Sequence, residues 1–376
     1  MKKIILIFTF ILALAQPAFA ENNINDITKE IENEMKDFEE SLPDYIKDIL
    51  PNELFNGDFS SLTNGEINTF TFFESITNFI LADLPKVLST MSVLLIIIII
   101  SSIFNTMATG ISSEALKNSY SLCSSLCISI TAFGVVRSML TGAISYMKIL
   151  CEVMNSFAPV LTVMHIMSGN ISSAALGNAS MIMFIALIEN VLLRILMPIV
   201  SVCLCFSLVK AVSGNIEIGG ISKFVRSSFI TLTVFTMMIF TFVFSFQSTL
   251  TQSADSLSIK TAKFAIGNFI PIVGSTINDA LRTVTSSIIL VKNSCGVIAV
   301  ICVILITLPI VVSFYLHKLS FDICASLASV IGCNKESGII TDASGICSFL
   351  LALVSCTSIF FILALTIFIK TSVGTI

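Results

Sequence analysis

Two histidines, His165 and His317, are the chain's whole stock of imidazole. Neither belongs to an HExxH or comparable spacing that would present two ligands to a metal. His165 follows Pro159 in an apolar run, and His317 stands beside Lys318 at the end of another. Cys203 and Cys205 are spaced C-x-C with no histidine nearby, and Cys123, Cys127, Cys302 and Cys356 also lie in apolar runs. There a thiol serves as a small hydrophobe. The nearest approach to a phosphate-binding loop is the stretch Gly214 to Ile221, with glycines at 214 and 219. Gly220 stands where that loop needs its lysine, and no hydroxyl follows, so nothing would steady terminal phosphates or magnesium. These residues imply no metal, no cofactor and no enzyme, and work driven by ATP would come from a partner.

What remains is charge set among apolar residues: Arg137, Glu152, Glu189, Arg194, Asp279 and Arg282. An ionised side chain in lipid costs on the order of 3 kcal/mol or more, so such groups face partners, water or headgroups. Asp279 and Arg282, three apart, share a helix face and can pair. Arg137 and Arg194 are expected to snorkel to headgroups. Glu189 is followed by Asn190 near the polar end of an apolar hairpin and is expected to face a bundle interior. Glu152, Glu189 and Arg194 are therefore the candidate intramembrane polar residues.

The elements that must position these groups are membrane helices. Of 376 residues, 55% are hydrophobic and 12% charged, a balance that excludes disordered, collagen-like and nucleic-acid-binding classes. Residues 1–20 read as a secretory signal: Lys2 and Lys3, an apolar run from Ile4 to Ala15, and a small-residue cleavage site at Ala18 and Ala20. Residues 21–85 read as an acidic exported region, with fifteen carboxylates against three lysines, or four counting Lys86. Ile24, Ile27, Ile31, Met35, Phe38, Leu42, Tyr45 and Ile49 recur at helical period there, broken by Pro43 and Pro51. The opposite acidic face, with Asp37, Glu39 and Glu40, would be repelled by an anionic lipid surface. Its expected dock is a partner protein or the chain's own surface. All eleven cysteines fall at or after Cys123, so no disulfide framework serves the exported part.

Residues 86–376 read as a multi-pass domain, with apolar stretches near the roughly 20 residues a bilayer core requires. The clearest are Val87 to Ala108, Ser227 to Leu250, Cys295 to Leu316 and Gly345 to Ile369, with a hairpin at 174–212. A span over Ser119 to Arg137 carries Ser121, Ser125 and Ser129, continued by Gly134, Ser138 and Gly142, a small-residue stripe that suits close helix packing. Tyr146 to Met167 and Asp255 to Lys292 mix charges with helix breakers and are expected as interfacial or re-entrant segments. The expected fold is all-α: a polytopic membrane protein with six to eight transmembrane helices, re-entrant or interfacial segments, and a short helical exported N-terminal region. Basic residues are too evenly distributed to fix its full orientation.

One region has a family likeness. Lys260-Thr-Ala-Lys263-Phe-Ala-Ile-Gly267-Asn-Phe-Ile-Pro271-Ile-Val-Gly274, continuing through Asp279 to Leu290-Val-Lys292-Asn-Ser-Cys-Gly296, resembles the signature region of the stage III sporulation protein AE family of endospore-forming bacteria. Phe157-Ala-Pro159-Val-Leu161 and Gly219-Gly-Ile-Ser-Lys223-Phe fall in the same order as in that family. The resemblance implies a component of the multiprotein, secretion-like channel joining mother cell and forespore, needed for late forespore gene expression. It implies partners among the other stage III sporulation A-operon proteins and, directly or indirectly, stage II sporulation protein Q. It also implies residence in the mother-cell-derived membrane, with the N-terminal region in the intermembrane space. A homo-oligomer is compatible with this, and nucleic acid is not a partner. Lys260, Lys263, Gly267, Pro271, Gly274, Asp279, Arg282 and Lys292 are then the candidate pathway or subunit-contact residues, since their charges and glycines suit lipid least. The alternative is a stand-alone secondary transporter that uses Glu189 for ion coupling.

Overall fold

The computed structural model describes residues 33–50, 69–108, 114–167, 171–190 and 274–370, with helical positions scattered between 194 and 253, the longest run being 237–246. The signal and its cleavage site, Ala18 and Ala20, lie outside the described residues, as do Lys260, Lys263, Gly267 and Pro271.

Every described regular element is helical. After a helical segment at 33–41 come α1 (Asp44–Lys47), α2 (Thr69–Ala108), α3 (Glu114–Met167), α4 (Ile171–Leu187), α5 (Gly274–Val330) and α6 (Asn334–Lys370). At 1.5 Å per residue, α3 and α5, of 54 and 57 residues, are each over about 80 Å long, against about 30 Å of hydrocarbon. Among the described residues, four helices are long and apolar enough to cross a membrane, within α2, α3, α5 and α6. Ala174–Asn190 and Met237–Phe246 are shorter apolar helices. The chain is an all-α membrane protein.

Two expectations change with these lengths. Tyr146–Met167 is no separate interfacial segment but the C-terminal part of α3, which runs through Pro159 unbroken. From Gly274 onward, the 255–292 segment is likewise the first part of α5 rather than a re-entrant piece. Neighbouring helices supply the packing that lets proline persist inside a long helix. Pro309 in α5 and Pro85 in α2 follow the same pattern, and the expected domain boundary at 85/86 falls inside α2.

α5 and α6 form an antiparallel hairpin. Contacts at Asp322–Ser344, Thr307–Ser358 and Gly296–Ile369 keep register, since steps of 15 and 11 residues along α5 match 14 and 11 along α6. The reversal needs a left-handed residue, and Gly332 supplies it with φ +83°. Gly332 N–H donates to the Ser329 carbonyl (3.1 Å) and Cys333 N–H to that of Ala328 (2.9 Å), the two bonds of a Schellman cap. The Cys333 carbonyl then accepts from Ser337 N–H (2.9 Å), opening α6. α2 and α3 pack against this hairpin, and α4 packs on α3.

The N-terminal segment docks on the same core. Met35, Phe38 and Leu42 are buried as their helical spacing predicts. Pro43 then breaks the helix with an extended ψ of 144°, and the buried stripe resumes one position later. Ile46 and Leu50 are buried, while Tyr45 and Ile49 are half-buried. Phe38 lies 4.9 Å from Phe157 of α3, and Tyr45 meets Phe79 of α2 edge-on at 5.6 Å. The chain's own surface therefore covers the apolar stripe, and Asp37, Glu40, Asp44 and Asp48 face outward.

Candidate functional site

Among the described residues, three clusters of hydroxyl and carboxylate side chains link helices across the bundle. At the hairpin tip, Glu336 occupies the third position of α6 and is 3% exposed. Its Oε1 accepts from Ser101 Oγ of α2 (2.7 Å) and from Ser124 Oγ of α3 (3.1 Å). Two neutral donors and the positive end of the α6 dipole therefore surround this carboxylate. Nearby, Lys335 Nζ reaches Ser121 Oγ at 3.5 Å, and Asn105 Nδ2 reaches Cys333 Sγ at 3.9 Å. One carboxylate thus ties together three helices that meet nowhere in sequence.

Farther along the hairpin, Lys318 Nζ pairs with Asp322 Oδ2 (2.6 Å) across one turn of α5, and Ser344 Oγ of α6 donates to Asp322 Oδ1. This pair is about a third exposed, so its net worth is small beside that of a buried contact. Deeper still, Tyr146 of α3, Thr307 of α5 and Ser358 of α6 share their hydroxyls: Tyr146 to Ser358 at 2.8 Å and to Thr307 at 3.1 Å, with Thr307 also bonded to Ser358. Thr307 Oγ1 donates as well to the Val303 carbonyl (2.6 Å), two residues before Pro309 removes a backbone donor from the helix. From Glu336 to Ser358 is 22 residues, about 33 Å, close to one hydrocarbon thickness.

The residues expected to act are distributed differently. Glu152 and Glu189 are exposed, so Glu189 does not face the bundle interior, and Arg194 is exposed too. Glu189 belongs to a π-type turn at 188–190, where Asn190 Nδ2 caps back to the Ala186 carbonyl (2.7 Å). Gly274 opens α5, and Asp279, Arg282 and Lys292 lie along its first part. His317 is held by its own helix, Nδ1 lying 2.9 Å from the Ser313 carbonyl. His165 is buried 4.8 Å from the Phe368 ring. Among the described residues, no group of three or more metal-ligating side chains occurs.

Sequence reasoning passed over Ser101, Glu336 and Asp322. Their one signal is position, since Glu336 follows a glycine turn at the third place of a helix, where a carboxylate favours the dipole. The small-residue stripe was half informative. Ser125 and Ser129 are buried, and a Cβ on Gly142 would sit 3.3 Å from Ile310 Cδ1. Gly134 has nothing within 4 Å of such a Cβ, and Ser138 is exposed.

Residues 55–372 match the family model described as stage III sporulation protein AE. The chain belongs to that family. A relative of the same description, stage III sporulation protein AE of Bacillus subtilis (strain 168), is 26% identical over 232 residues. The matched part covers 60% of this chain and 58% of the relative, so the chain spans a little over half of that protein's length. No solved structure matches. Membership of the stage III sporulation protein AE family makes this a sporulation protein, and the match runs through every long helix of the bundle.

Proposed function

We propose that the chain is a non-catalytic membrane component of the channel, or secretion-like complex, that connects mother cell and forespore, acting there as scaffold or pore element. Family membership over 55–372 carries this reading. The chemistry of the bundle supports it: the buried Glu336 carboxylate and the Tyr146, Thr307 and Ser358 hydroxyls bond helix to helix. In this reading the protein sits in the mother-cell-derived membrane, and its N-terminal cap projects into the intermembrane space. Its acidic outward face, with Asp37, Glu40, Asp44 and Asp48, would meet other A-operon proteins or stage II sporulation protein Q. The channel would serve late forespore gene expression.

Single cysteines placed at Lys36, Glu40 and Asp48, all exposed positions, test this in sporulating cells. Cross-links to A-operon proteins or to stage II sporulation protein Q, with loss of spores when the chain is deleted, are expected. Substrate flux through liposomes holding only this protein would instead support a stand-alone transporter.

A further inference from the structure

A cavity of about 280 Å³ opens where the N-terminal cap, α2, α3 and α5 meet. Tyr45, Asp83, Ser145 and Ser313 bring polar groups to it, and Ile149 and Ile306 form part of an aliphatic wall. Its one formal charge is the Asp83 carboxylate. A single carboxylate repels anions yet falls short of the six or more oxygens that calcium or magnesium takes. An ammonium group, with three donors and no acceptor, matches a carboxylate flanked by hydroxyls.

Asp83 does not stand alone. Lys86 Nζ lies 3.3 Å from its Oδ1, and the lysine side chain is 75% exposed while that of Asp83 is 24% exposed. A cation facing outward beside an anion facing a cavity is the mirror image of a zwitterion. Beyond this pair α2 carries no further charged residue up to Ala108. The Tyr45 hydroxyl oxygen, at the same cavity, can accept from an ammonium.

From these features we infer that the cavity seats the headgroup of an ethanolamine phospholipid, its ammonium on Asp83 and its phosphate on Lys86. The lipid would enter from the outer face of the bundle's cap and hold α2 to the N-terminal segment. The inference is independent of any role in sporulation.

The full-length protein, purified in mild detergent and offered equal amounts of phosphatidylethanolamine and phosphatidylglycerol, gives the test by native mass spectrometry. Preferential retention of phosphatidylethanolamine is expected, with about a tenfold loss in Asp83→Asn, since a charge-assisted contact disappears. Lys86→Gln should weaken retention in the same direction. Ser145→Leu, at an exposed position that narrows the cavity while leaving the pair intact, should do likewise and carries the test if Asp83→Asn fails to fold. Equal retention of the two lipids, unchanged retention in both Asp83→Asn and Ser145→Leu, or binding of free ethanolamine without the lipid would overturn the proposal.

Discussion

Glu336 of α6 accepts a hydrogen bond from Ser101 of α2 across 235 residues of chain, at 2.7 Å, in a site where the carboxylate is 3% exposed. Ser124 of α3 donates to the same oxygen. Glu336→Ala removes the acceptor from two buried hydroxyls at once, and an unsatisfied buried polar group costs about 1–3 kcal/mol. A loss of roughly 2–4 kcal/mol is expected for Glu336→Ala, and a smaller one for Glu336→Gln, which keeps an acceptor oxygen. Thermal unfolding in detergent, followed by helical circular dichroism, reads both. Equal melting of the two variants would sink the assignment of Glu336 as a three-helix tie.

How far the sequence discloses this arrangement differs by element. The apolar stripe Met35, Phe38, Leu42 is legible because burial on one face imposes a period near 3.6, and Pro43 is legible as its break. Span lengths are not. An apolar run reports where lipid or a core begins, whereas α3 and α5 continue well beyond theirs because neighbouring helices, rather than lipid, satisfy the extra turns. Glu336 and Asp322 were missed for a related reason. A carboxylate's value depends on what lies opposite, and Ser101 and Ser344 come opposite only once α2, α5 and α6 have packed. The turn at Gly332 sits between these cases, since a glycine closing an apolar helical run marks a helix end, but the hairpin register does not follow from it.

Glycine packing separates two classes of position. A Cβ on Gly177 would fall 1.8 Å from Phe368 Cε2, and one on Gly296 would fall 2.3 Å from Ile369 Cδ1. Phe368 is buried to 1% and has little room to swing, whereas the Ile369 methyl is the mobile end of its side chain. Gly177→Ala should therefore destabilise by about 1–3 kcal/mol and Gly296→Ala by less. Gly134→Ala, with open space around it inside α3, should stabilise by about 0.5–1 kcal/mol. Pairing Gly177→Ala with Phe368→Leu should restore part of the loss. If Gly134 and Gly177 respond alike in melting experiments, the packing of α4 against the end of α6 is wrong.

Docking of the N-terminal cap rests on Phe38, fully buried with its ring 4.9 Å from that of Phe157. Removing a buried phenylalanine side chain costs about 3–5 kcal/mol. The cap is tied to the bundle mainly through this stripe, so Phe38→Ala should release 33–50 while the long helices stay folded. Limited proteolysis is the direct measurement: faster cleavage within 33–50 at unchanged bundle melting is expected. Cleavage at the wild-type rate would mean that the cap is held by other contacts.

Tyr45 gives the cap a pH dependence of predictable sign. Its phenol, pushed up to about 12 mainly by burial and secondarily by Tyr146, holds its proton more tightly in the docked cap than in the unfolded chain, where it titrates near 10. The docked form therefore binds more protons between these values, so its stability is fully present below pH ~10 and declines as pH rises toward ~12. Tyr45→Phe removes the ionising group while keeping the ring that meets Phe79 at 5.6 Å. Other groups titrate over the same range, so the informative quantity is the difference between wild type and variant. Cap release, followed by proteolysis of 33–50 from pH 9 upward, should steepen above about pH 10 in the wild type and stay shallower in Tyr45→Phe. Identical profiles for the two proteins would show that Tyr45 is not buried in the docked cap.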